Sequence, residues 1–182
     1  MNTIVLTGPI CAGKSTVAAA LSEQLDLPVC HMDDIRHEYY QEIGFDESKQ
    51  EEIREEQGFL GVYRYWKPFE AHAVQRALAD YPDHIHDFGA GHAVQDDPVS
   101  ADVVATALST AAVFFLLPSK DLREAKLVLR QRLSKQTSDP SILQLNDAFA
   151  ERIQSRELAD FTVYTKGKAA AETAAEITAL LE

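Results

Sequence analysis

Residues 8–16 read Gly-Pro-Ile-Cys-Ala-Gly-Lys-Ser-Thr and follow directly on the apolar run Ile4-Val5-Leu6. From Gly8 through Gly13, Lys14 and Ser15 the stretch fits G-x-x-x-x-G-K-[ST], placed between a strand and a helix as that pattern requires. A phosphate needs several N–H donors converging on it, and a glycine-rich loop can bend its backbone tightly enough to supply them. The helix beginning at Lys14 adds its positive end. These residue types predict a cradle for a nucleoside triphosphate, built from Gly8, Cys11, Ala12, Gly13, Lys14, Ser15 and Thr16. Lys14 is expected to reach the β- and γ-phosphates and Ser15 to ligate Mg²⁺. Cys11 reads as a small filler with no catalytic role.

Two further groups lie where the ends of parallel strands would place them beside that cradle. "HMDDIR" follows a second apolar run, so Asp33 and Asp34 can accept a proton from a hydroxyl or hold a magnesium water. The other reading, a helix cap with an acidic first turn, stays open for one of them. "HDFGAGH" follows a third run. Gly89 and Gly91 allow close backbone approach to a ligand or form a plain turn, and Asp87 is a candidate magnesium carboxylate. His84, His86 and His92 read as surface or hydrogen-bonded residues, and Arg64 in "GVYRYW" pairs either with an acidic acceptor or with an acidic neighbour. Lys120, Arg123, Lys126, Arg130, Arg132 and Lys135 hold six of the 17 Lys and Arg residues. They suit a cationic segment closing over a nucleotide, or a basic helix facing the acidic segment 33–56.

The elements that must position these groups alternate. Strands are expected at 3–7, 27–32, 84–87, 111–117 and 161–164. Helices are expected at 15–25, 33–41, 44–57, 63–81, 100–108, 121–134, 141–158 and 169–181, with Pro68 near a helix start or a kink. Such alternation implies a parallel sheet covered on both faces. The 182 residues suit one domain, 1–182. A net charge of -12 argues against general nucleic-acid binding. No apolar run reaches the roughly 20 residues of a membrane span. No signal peptide is read, and two cysteines without metal spacing fit a reduced, cytoplasmic protein.

With these residues placed, the chain resembles the shikimate kinase-like branch of the P-loop nucleoside monophosphate kinase fold. "GPICAGKST" and "ELADFTVYT" carry the resemblance most closely, the latter against an A-D-x-x-V-x-T strand. "MDDIR" stands at the place of a D-x-D, "GVYRYW" at that of G-E-x-x-F-R, and "FGAG" at that of a G-G-G loop. The resemblance implies an α/β three-layer P-loop fold, with a five-stranded parallel sheet ordered 2-3-1-4-5 and a small lid at about 120–145. It also implies ATP and Mg²⁺ as cofactors. Asp34, Arg64, Gly89, Ala90 and Gly91 would line the acceptor pocket, with Arg152 near the place of a substrate-facing arginine. Asp33 would hold magnesium through water. Arg130 or Arg132 would lie against the adenine, near Lys168 of "TKGK".

The chain departs from the family in its D-D, in Ala90, and in "RLSKQTSDPS" where an R-P-L-L run is expected. The expected activity is ATP-dependent transfer of a phosphate to a small hydroxylated substrate. That substrate is shikimate or another acceptor: a nucleoside, a sugar acid, an antibiotic or a cell-wall sugar nucleotide. A nucleotide-sensing NTPase that binds a protein through the acidic segment 33–56 is the alternative of another class. The expected assembly is a monomer or a homodimer.

Overall fold

Strand β1 (Ile4–Thr7) is buried along its whole length, with Ile4 and Leu6 turned to one side of the sheet and Val5 to the other. A computed structural model describes residues 3–182. Around β1 lie β2 (Val29–His31), β3 (Ile85–Asp87), β4 (Ala112–Leu117) and β5 (Phe161–Tyr164), in the order β2-β3-β1-β4-β5 with every pairing parallel. Parallel neighbours need a crossover between them, and the helices provide it on both faces. On one face α1 (Lys14–Leu25), α5 (Leu122–Leu133) and α8 (Ala170–Leu180) pack Leu21, Leu129 and Ile177 against Phe115 and Leu116. On the other, α2 (Met32–Glu42), α3 (Glu47–Asp80) and α4 (Pro98–Leu108) pack Met32, Tyr40, Val74 and Val104 against Val5 and Phe88. Each such buried large side chain contributes about 1.5–3 kcal/mol. The remaining helices are α6 (Pro140–Glu151) and α7 (Ile153–Glu157).

The separate helices expected at 44–57 and 63–81 are found as two helical stretches of α3 that meet at a kink at Gly58, where φ 66 and ψ -163 demand glycine, and not at Pro68, which sits inside the helix. One boundary departs from the sequence reading. The single helix expected over 141–158 divides at Arg152, whose ψ of 112 is extended. Helix starts are chemically specified. Asp97 before Pro98 and Asp139 before Pro140 each accept the amide of a serine, at 2.8 Å in both cases.

His86 on β3 is fully buried between Tyr81 and Phe88. Its Nε2–H donates to the Tyr81 carbonyl at 2.9 Å, and Nδ1 has no partner among the described residues. Burial pushes its pKa down to about 4. The folded state then resists a proton that the unfolded chain accepts near pH 6.5, so stability is present above that pH and is lost as pH falls toward 4. Between pH 7 and pH 5 the unfolding free energy is expected to drop about 2 kcal/mol more in the wild type than in His86→Gln. Denaturant titrations at the two pH values measure this, and an equal drop in both proteins would contradict it.

Candidate active site

The loop from Gly8 to Gly13 is held from outside by its carbonyls and by one amide. Arg132 Nη1 donates to Cys11 O at 2.9 Å and Thr165 Oγ1 to Ala12 O at 3.2 Å. Asn146 of α6 brackets Ile10, accepting its N–H at 2.7 Å and donating to its carbonyl at 3.1 Å. These ties leave the amides of Gly13, Lys14, Ser15 and Thr16, the free first turn of α1, without an acceptor among the described residues. A Cβ on Gly8 would stand 2.4 Å from the Leu116 carbonyl oxygen, so only glycine admits this approach to β4. Cys11 holds a left-handed φ of 64, a strain of the kind kept at functional loops. Burial raises its thiol pKa against the opposing charges of Lys14 and Arg132, which agrees with a filler role. The unpaired amides and the tight loop fit a phosphate tail.

Lys14 is 8% exposed and its ammonium donates to the carbonyls of Gly8 (3.0 Å) and Pro9 (2.9 Å). Burial pushes its pKa down, while Asp87 and Asp33 push it up. Asp87 ends β3, beside β1 and β2. Its carboxylate meets His31 Nδ1 at 3.2 Å. Ser15, His31, Asp33, Asp34 and Asp87 line one shared cavity. Among the described residues no three His, Cys, Asp or Glu side chains converge as metal ligands. The oxygen set of Ser15 with Asp33 and Asp87 fits Mg²⁺, which keeps several waters and takes ligands from phosphates.

A cavity of about 350 Å³ over the loop includes Ile10, Lys14, Ser15, Asp33, Gly89 and Ala90. A second, of about 280 Å³, adjoins it and is walled by Phe59, Tyr63, Trp66 and Phe149, with Arg36 and Glu70 among its polar groups. Ile10, Asp33, Gly89 and Ala90 line both, so the Asp33 carboxylate stands at the junction. The loop 88–94 is drawn onto α3 by Lys67, which pairs with Glu70 and donates to Gly91 O (2.8 Å) and Val94 O (2.7 Å). His92 packs beneath Gly89, and a Cβ there would meet its Nδ1 at 2.7 Å.

Gly89, Ala90 and Gly91 thus reach the second cavity, but three other residues expected there do not. Asp34 faces only the Ser15 side. Arg64 is exposed on α3 and lines none of the cavities described, because the aromatic stripe at 59, 63 and 66 fixes the inward face of that helix. Arg152 terminates α6 and pairs with Asp96. In their place stand Arg36 and Glu70, the latter paired with Lys67. The signals available for them were the spacing of Arg36 three residues after Asp33, and the helical period of Phe59, Tyr63, Trp66 and Glu70.

A third cavity is lined by Cys11, Ala12, Gly13, Thr16, Arg132 and Lys168, among others. Arg132 therefore adjoins the loop. Arg130 instead grips Asp147, Nε to Oδ2 at 3.0 Å, and lines none of these cavities.

A strand–loop–helix phosphate cradle at the centre of a 2-3-1-4-5 parallel sheet defines a P-loop nucleotide-binding α/β fold. A family model described as adenylylsulphate kinase matches residues 1–60. No curated protein matches the chain. Among solved structures it is similar to shikimate kinase from Acinetobacter baumannii in complex with shikimate (21% identity, 100% of this chain and 93% of that one, TM-score 0.68). It is also similar to shikimate kinase from Aquifex aeolicus (20%, 98% and 95%, TM-score 0.62) and to a gluconokinase from Sinorhizobium meliloti (17%, 99% and 95%, TM-score 0.54). At these identities the likeness is one of fold, and the fold is that of the shikimate kinase-like P-loop kinases.

Proposed function

We propose that this protein is a small-molecule kinase that transfers the γ-phosphate of ATP to a hydroxyl. The observation that carries the reading is the junction: one carboxylate, Asp33, borders both the phosphate cradle and a separate aromatic-walled cavity. A donor and an acceptor seated there would meet end to end at that carboxylate. The chain 1–182 acts as one kinase unit in this reading. Of the expected lid at 120–145, the part as far as Leu133 is anchored through Ala125 and Leu129 in the core, so the closing segment begins at Ser134 and carries Gln136 over the loop.

The free amides of residues 13–16 bind the phosphate tail and Lys14 leaves the Gly8 and Pro9 carbonyls to meet its terminal oxygens. Arg132 and Lys168 border the nucleoside. Ser15, Asp33 and Asp87 would hold Mg²⁺, which supplies neutralisation of the charge shared between the phosphates. Asp33 orients the acceptor hydroxyl and takes its proton. The hydroxyl oxygen bonds to the γ-phosphorus as the bond to the β–γ bridging oxygen breaks, and ADP leaves with the electron pair.

Incubation of the protein with a metabolite extract and γ-labelled ATP, read by mass spectrometry, is expected to show label on an organic phosphate. Label appearing only as inorganic phosphate would reject the kinase reading and favour a nucleotide hydrolase.

A further inference from the structure

We infer that the side-chain amide of Gln136 is a phosphate-binding group of the nucleotide site, donating from outside the loop to the phosphate chain that the amides of residues 13–16 bind; this rests on the kinase reading above. The cavity over the loop and the cavity beside Arg132 and Lys168 share four lining residues, Cys11, Gly13, Thr16 and Gln136. The first three belong to the loop and the first turn of α1, and Gln136 is the one contributed by another part of the chain, just after α5. A nucleotide with its terminal phosphate at Lys14 and Ser15 and its nucleoside at Arg132 and Lys168 has to run its phosphate chain across that shared border, and so past Gln136.

The backbone holds Gln136 at that border. Leu133, the last residue of α5, is buried, and the amides of Gln136 and Thr137 both donate to its carbonyl, at 2.9 and 3.0 Å. Four residues before Gln136, Arg132 is tied to the Cys11 carbonyl, so the turn is joined to the loop itself. The neighbouring hydroxyls are engaged locally: Ser134 Oγ donates to Gln131 O and Thr137 Oγ1 accepts the Asp139 amide. The Gln136 side chain is exposed and has no hydrogen-bond partner among the described residues. The cavity over the loop is lined by one cation, Lys14, against the carboxylates of Asp33 and Asp87. Phosphate oxygens that Lys14 and Mg²⁺ do not reach therefore need neutral N–H donors, and a carboxamide supplies two of them.

Isothermal titration of the full-length protein and its variants with ATP and Mg²⁺ tests this. Gln136→Ala is expected to bind about tenfold more weakly than wild type, the low end for a hydrogen bond to a charged acceptor. Gln136→Glu keeps the shape but exchanges the donor for a negative charge, and is expected to bind about thirtyfold more weakly. Gln136→Arg restores a donor and is expected to stay within about threefold of wild type. Ser138→Glu puts the same charge two residues further along, at an exposed position that lines none of the cavities described, and is expected to stay within about twofold. Gln136→Glu within about twofold of wild type, or an equal loss in Ser138→Glu, overturns the inference. Unchanged ATP affinity with slower basal hydrolysis in the Gln136 variants overturns it too, since Gln136 would then position a water and not a phosphate. The two readings fail separately: no saturable heat from wild type rejects the kinase reading, whereas normal wild-type binding with indifferent Gln136 variants rejects only the role of Gln136.

Discussion

Lys14→Met is expected to lower phosphoryl transfer by about 10²–10³-fold, the cost of losing one preorganised charge at the reacting centre. The folded structure should survive. The ammonium is enclosed and pays a desolvation cost that burial makes visible as a lowered pKa. Exchanging it for an apolar chain of similar length removes that desolvation cost and takes a donor from two carbonyls, effects of opposite sign. The two carbonyls it now holds are on Gly8 and Pro9, and Lys14 itself lines the adjoining cavity. Far-ultraviolet circular dichroism and the thermal midpoint should therefore stay close to wild type while transfer collapses. A Lys14→Met protein that transfers within about fivefold of wild type would end the mechanism.

The second large effect is expected at Asp33. Asp33→Asn removes proton acceptance but keeps the shape, and a positioned base contributes about 10²–10⁴-fold. ATP affinity should change only a few-fold, because the cradle amides are untouched. Asp34→Asn supplies the contrast. Asp34 borders the Ser15 side and not the acceptor cavity, so its loss should lower turnover far less than that of Asp33, with acceptor KM nearly unchanged. Steady-state kinetics on the two variants decide between them. Equal losses, or a larger loss of turnover at Asp34, would place the base on the wrong carboxylate.

The donor half of the site was legible because it is local. The nine residues from Gly8 to Thr16 hold the cradle, its lysine and its serine, and the apolar run before them marks the central strand. Alternation of elements implied only a parallel sheet; its strand order came from the resemblance to the shikimate kinase-like branch, and β2-β3-β1-β4-β5 agrees with it. The acceptor half is not local. It is built from α2, α3, the loop after β3 and α6, segments up to more than a hundred residues apart. Its register on α3 turned on helix phase. The resemblance pointed to Arg64, but Gly58 resets the helix, and the stripe Phe59, Tyr63, Trp66, Glu70 then faces inward. Lys67 could not be assigned from spacing alone, since its three oxygen partners come from its own helix and from a loop 24 and 27 residues away. The arginines of α5 divided for a similar reason: Asp147 on α6 takes Arg130 away from the loop, while Arg132 remains on it.

The account stands on the cradle receiving a nucleotide tail, and isothermal titration of the folded wild-type protein with ATP and Mg²⁺ measures that directly. The predicted result is saturable heat with one site per chain, weakened at least tenfold in Lys14→Met. Flat heats from wild-type protein shown to be folded by circular dichroism would contradict it.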